Sequence, residues 1–107
     1  MKKGDIVLIP FPFTDLTGAK KRPALVLIST ETDITVCFIT TQHKWQSEFD
    51  FEVEPTEMNG LKQKSLVRLN KMATIDKDLA IGLIGKLDEI YFQKLNENLI
   101  QLFQIKR

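Results

Sequence analysis

Residues 20–23, Lys20-Lys21-Arg22-Pro23, place three positive charges and a proline directly before the apolar run Ala24 to Ile28. Proline fixes its own φ and biases the residue before it toward an extended backbone, so Arg22 is held at a loop-to-strand junction. A held guanidinium offers a planar fork of donors that fits a phosphate or a carboxylate, and it stays charged at any physiological pH. The same side chain equally suits an ion pair with an acid on a neighbouring strand, and the local sequence leaves both open.

A second cluster, Thr40-Thr41-Gln42-His43, follows the apolar segment Ile34 to Ile39. Hydroxyls and amides at a strand end can hydrogen-bond a phosphoryl oxygen or a base edge, or simply close a threonine-rich strand in water. His43 has the side chain best suited to a general base near neutral pH. It lies three residues beyond Thr40, however, so strict alternation puts it on the opposite face and leaves it peripheral. Trp45 suits either base stacking or packing, and Cys37, between apolar neighbours, reads as a small core residue. There is no Gly-rich phosphate loop, no HExxH and no paired-cysteine motif, and one Cys with one His makes the usual zinc site implausible. Chemistry without metal or cofactor is expected.

The elements that must position these residues are mostly strands. Asp5 to Phe11 starts one that Pro10 and Pro12 should end, Thr14 to Lys21 should form a mobile surface connection, and Pro23 to Ser29 forms the second strand. In Ile34 to Thr41, alternation puts Ile34, Val36, Phe38 and Thr40 on one face and Thr35, Cys37, Ile39 and Thr41 on the other. Phe49 to Glu54 alternates cleanly, which predicts a wet face carrying Asp50, Glu52 and Glu54. After a turn at Asn59-Gly60, Lys64 to Asn70 places Leu66, Arg68 and Asn70 on one side. Ala73 to Leu79 reads as a turn or single helical turn, and Ala80 to Leu87 as a last short strand.

The one long helix expected runs from Asp88 to Gln104, capped by Asp88, with Tyr91, Leu95, Leu99, Leu102 and Phe103 as its apolar stripe. About six short strands and a terminal helix predict a mainly β fold, a small curled antiparallel barrel with the helix packed on it.

The whole chain sets bounds on all this. Its 107 residues suit one core, so residues 1–107 are expected to form a single domain. Hydrophobic residues at 43% and charged residues at 27% argue for a folded chain. No apolar run approaches the roughly 20 residues of a membrane helix and no signal peptide precedes Gly4, so a cytoplasmic protein without membrane contact is expected. The net charge of +1 hides basic clusters at Lys20-Lys21-Arg22 and at Lys62, Lys64, Arg68 and Lys71, against acids from Glu48 to Glu57. Local potential decides steering, so a near-neutral protein can still offer a basic groove to a phosphate backbone.

In order along the chain, Gly4-Asp5-Ile6-Val7, Arg22-Pro23-Ala24-Leu25-Val26-Leu27, Ile39-Thr40-Thr41-Gln42, Ser65-Leu66-Val67-Arg68-Leu69 and Thr74-Ile75-Asp76-Lys77 resemble the PemK/MazF toxins of bacterial toxin–antitoxin systems. The resemblance runs almost end to end. It implies an SH3-like barrel, a homodimer, a cognate antitoxin protein, and metal-independent, sequence-selective cleavage of single-stranded RNA. The RNA's own 2′-hydroxyl would attack the adjacent phosphate and leave a cyclic phosphate. It also implies Arg22 and Thr40 as the catalytic pair, with Lys20, Lys21, Thr41, Gln42, Arg68, Asn70 and Lys71 as RNA contacts. Two departures stand out: the first loop has no histidine, and Asn70 stands where some members carry an aspartate. Asparagine exchanges no proton at neutral pH, so that acid–base scheme does not carry over. The rival readings are a toxin of the same fold that poisons gyrase through protein contacts, and an inactive domain kept for antitoxin binding.

Overall fold

The computed structural model describes residues 1–11, 20–44 and 47–106. The part of the expected 14–21 connection between residues 14 and 19, together with Pro12 and Trp45, lies outside them. Among these residues six strands, β1 (Asp5–Phe11), β2 (Lys20–Ser29), β3 (Asp33–Thr40), β4 (Phe51–Val53), β5 (Ser65–Asp76) and β6 (Gly82–Lys86), precede a C-terminal helix α1 (Phe92–Leu102). They form one sheet in the order β4-β5-β3-β2-β1-β6, antiparallel at each pairing. The mainly β architecture with a terminal helix is as expected.

Several boundaries differ, each for a physical reason. The second strand begins at Lys20, because Phe11, Pro10 and Ile9 pair with Lys20, Lys21 and Arg22. Arg22 therefore sits inside a ladder, not at a junction. β1 runs through Pro10 because β6 pairs with it only as far as Leu8, leaving a one-sided stretch where proline is tolerated. β5 continues to Asp76, its Ala73, Thr74 and Ile75 pairing with Val36, Thr35 and Ile34, so the expected turn shrinks to a 3-10 turn at Lys77–Leu79. Between Cys37↔Met72 and Phe38↔Arg68 the register slips, leaving Leu69, Asn70 and Lys71 in a bulge that bends β5.

That bend curls the sheet, and both faces of β1, β2 and β3 are buried. Ile6, Leu25, Cys37 and Ile39 join Leu87 and the wholly buried Leu95 of α1 in one cluster. Val7, Ile9, Ala24, Val26, Ile34 and Val36 pack with Ile75 in a second. The alternation read along β3 holds, but it sorts residues between two cores instead of between core and water. The sheet is a curled half-barrel. Across its open side the backbone N–H of Lys86 donates to the carbonyl of Met58 at 2.9 Å. Gly60, at φ +69°, sits so close to the Ile84 carbonyl that a Cβ would collide with it.

β4 is shorter than expected, and Asp50 is not on a wet face: its side chain is 1% exposed and paired with Arg68. Glu52 and Glu54 are exposed, as expected. The helix proper starts at Phe92 after a 3-10 turn at Glu89–Tyr91. Asp88 makes no side-chain cap bond, because its carboxylate accepts from the Thr56 hydroxyl and the Asn59 amide instead. Tyr91, Leu99 and Leu102 pack on the core with Leu95, whereas Phe103, past the last helical turn, is 58% exposed. Asn98, buried on the same helix, donates to the Phe49 carbonyl at 3.0 Å and ties α1 to the segment before β4. Among the described residues no helix is long and apolar enough to cross a membrane.

Candidate functional site

Residues directly opposite in an antiparallel ladder share a face. Ile9 lies opposite Arg22, and Thr40 opposite Leu66. The β2–β3 pairing ends at Ala24↔Phe38, two residues short of Arg22 and of Thr40. These neighbours open a cavity of about 240 Å³ lined by Ile9, Arg22, Phe38, Ile39, Thr40, Thr41 and Gln42. The guanidinium is exposed, and among the described residues no carboxylate lies within ion-pair distance of it. Of the two roles left open by sequence, the ion pair is not realised among the described residues. The Thr40 hydroxyl accepts the backbone N–H of Gln42 at 3.1 Å. A hydroxyl has one proton and two lone pairs, so that bond fixes the oxygen and leaves its proton available to a ligand.

The other sequence-predicted residues divide by position. Lys20 shares the Arg22 face, while Lys21, one residue away in the pleat, takes the opposite face. Arg68 is opposite Phe38 and so borders the cavity row, but its Nε lies 3.3 Å from Oδ2 of Asp50. That ion pair is deep, with the Arg68 side chain 24% exposed and Asp50 1%. The same carboxylate oxygen also accepts the Ser47 N–H at 3.0 Å, while Oδ1 is buried without a hydrogen bond. Arg68 therefore borders the site as a largely neutralised pair. Asn70 and Lys71 are exposed within the β5 bulge and do not line the cavity.

His43 is engaged elsewhere. Its Nδ1 lies 3.3 Å from Glu52, and its Nε2 3.3 Å from the carbonyl of Lys64. Lys64 in turn reaches Glu52 at 3.4 Å and Glu54 at 3.6 Å, and those acids, Glu52 first, hold its ammonium above the ordinary lysine value. The Cys37 thiol is pushed up to about 12, chiefly by burial. Among the described residues no group of three or more His, Cys, Asp and Glu side chains could hold a metal ion.

Sequence reasoning missed the apolar walls Ile9, Phe38 and Ile39, and the Asp50 counter-ion of Arg68. The first three follow only from register. Asp50 sits in an alternating acidic stretch whose wet-face reading gives no sign of burial.

The family model described as PemK-like, MazF-like toxin of type II toxin–antitoxin system matches residues 2–103. No curated protein matches the chain. Among solved structures, Mycobacterium tuberculosis toxin MazF-mt6 is 26% identical, with a TM-score of 0.75 over 96% of this chain and 99% of that one. An endoribonuclease in complex with its cognate antitoxin from Mycobacterial species is 15% identical, with a TM-score of 0.76 over 100% of this chain and 98% of that one. MazE-MazF from Deinococcus radiodurans gives 18% identity and a TM-score of 0.72 over 99% and 97%. The last two show likeness of fold alone.

Proposed function

We propose, from the premise that this chain belongs to the PemK-like, MazF-like toxin family of type II toxin–antitoxin systems, that it is an endoribonuclease cleaving single-stranded RNA. The observation that carries the reading is one cavity holding a guanidinium with no acid partner among the described residues and a hydroxyl oriented by a backbone N–H. In the proposed reaction the 2′-oxygen attacks the adjacent phosphorus, the bond to the 5′-oxygen breaks, and a cyclic phosphate and a 5′-hydroxyl result. Negative charge builds on the nonbridging oxygens in the transition state. An unpaired guanidinium at Arg22, on a backbone held in the β1–β2 ladder, and a hydrogen bond donated by the Thr40 hydroxyl meet that charge where it develops, which is the logic of oxyanion stabilisation.

Thr41 and Gln42 line the same cavity and serve as contacts to the flanking nucleotides, while Lys20 adds positive potential on the Arg22 face. Lys21, Asn70 and Lys71 are assigned to more distant backbone contacts. Arg68, paired with Asp50, borders the strand and contributes shape and hydrogen bonds more than net charge. The reaction is proposed to need no metal, and the active protein to be a homodimer held in check by a cognate antitoxin.

The test is to incubate purified protein with a long single-stranded RNA in EDTA and map the ends. Discrete cuts with 5′-hydroxyl and cyclic-phosphate termini are expected, and Arg22→Ala should lower the rate by about 10²–10³. An Arg22→Ala variant with full activity would remove the site assignment. No cleavage, together with capture of gyrase, would replace the ribonuclease with a protein-binding toxin.

A further inference from the structure

The strand ends that carry Arg22 and Thr40 have a second cavity on their other face. The pleat sends Ile9 and Arg22 to the first cavity and their chain neighbours Leu8 and Pro23 to the second. Thr41 lines both, just past the last residue of β3, so it forms the rim over which a ligand passes from one face of the sheet to the other. The second cavity, about 340 Å³, lies within the range of small-ligand pockets. Its walls are Leu8, Pro23, Leu61 and Ile84, and Lys62 and Gln63 supply an exposed ammonium and amide at its edge. Among the described residues no carboxylate lines it.

The wall formed by residues 60–63 is set in place before any ligand arrives. Asn59, fully buried beside it, accepts the Thr56 and Leu61 N–H groups through Oδ1, each at 3.0 Å. Its amide nitrogen donates to the Glu54 carbonyl and to Asp88, each at 2.8 Å. Every hydrogen-bonding site of that amide is used on the protein, so the turn is braced and pays little ordering entropy on binding.

We propose that this cavity seats a nucleobase adjoining the scissile phosphate, with Gln63 and Lys62 reading its edge. The inference rests on the ribonuclease reading of the Arg22 cavity. Apolar walls accept the faces of an unstacked base, and an amide with an ammonium at the rim matches the acceptors along its edge. Thr41 links the two subsites, so one short length of RNA fills both.

Two measurements test this. Amide NMR spectra are recorded while wild-type protein is titrated with a short single-stranded RNA carrying 2′-O-methyl groups, which block cleavage. Shifts at Leu61 to Ser65 and at Ile84, alongside Arg22 and Thr40, are expected. Cleavage of a randomised RNA pool is then sequenced for wild type, Gln63→Ala and Lys62→Ala. Because both side chains are exposed, the variants should fold. Gln63→Ala is expected to relax the preference at one position next to the cut by about tenfold or more. Cleavage by wild type with unchanged preference in both variants and silent amides at 61–65 would overturn the base cavity and leave the ribonuclease reading standing. No cleavage and no shift at Arg22 would overturn both. Shifts at 61–65 produced by an antitoxin peptide but not by RNA would assign the cavity to protein binding instead.

Discussion

Arg68 and Asp50 make the sharpest case for measurement, because their pairing decides whether a predicted RNA-binding arginine carries free charge. The two side chains are unequally buried, 24% exposed for Arg68 and 1% for Asp50, with 3.3 Å between Nε and Oδ2. Arg68→Ala strands the deeper group, a carboxylate left with the Ser47 N–H as its hydrogen-bond donor. Removing one partner of a buried pair in this way typically destabilises by about 3–5 kcal/mol. Asp50→Ala leaves a guanidinium that can turn toward water, so the expected loss is nearer about 1–3 kcal/mol. The double variant should lose less than the sum, with a coupling of about 1–3 kcal/mol. The assay is equilibrium urea unfolding of the wild type, both single variants and the double at one fixed protein concentration. It is repeated at high salt, where a buried pair should keep most of its coupling. Arg68→Ala destabilising by under about 1 kcal/mol, or a coupling indistinguishable from zero, would refute the deep pair and return Arg68 to the free cations.

Three further outcomes follow from the same geometry. Thr40→Val should lower RNA cleavage by about 10²–10³ while Thr40→Ser retains most of it, since the valine keeps the shape but loses the donor; equal rates for both variants would exclude the hydroxyl. Asn59→Ala should destabilise by about 2–4 kcal/mol, because it orphans the Leu61 and Thr56 N–H groups and the Glu54 carbonyl together; an unchanged urea midpoint would contradict the bracing role. Cys37 should resist thiol reagents until the protein unfolds. Its folded thiol ionises only near about 12, against about 8.5 unfolded, so its contribution to stability is full below that lower value. Stability should then fall by about 1.4 kcal/mol per pH unit as the pH rises toward the folded value. Rapid labelling of the native protein at pH 8 would show the thiol accessible.

How legible the site was differs residue by residue. Arg22, Thr40, Thr41 and Gln42 were marked by type alone, a cation before proline and a polar run after an apolar strand, and one cavity gathers all four. Lys20 and Lys21 looked equivalent as neighbours, but a pleat sends neighbours to opposite faces, so Lys20 alone shares the Arg22 side. Strict alternation puts Arg68 and Asn70 on one face. The bulge at Leu69 to Lys71 breaks that regularity, and the buried Asp50 claims Arg68.

By itself the chain's chemistry determined that this protein is built mainly of short strands with a terminal amphipathic helix, and that its candidate reacting groups are a guanidinium and hydroxyls. Periodicity and residue type are local properties, legible wherever the backbone repeats. Which side chains meet was decided only by the tertiary structure, because strand register and the curl of the sheet are set jointly by residues far apart in the chain. That joint packing turned both faces of β1, β2 and β3 into core, buried the carboxylate of Asp50, and left the guanidinium of Arg22 exposed and unpaired among the described residues.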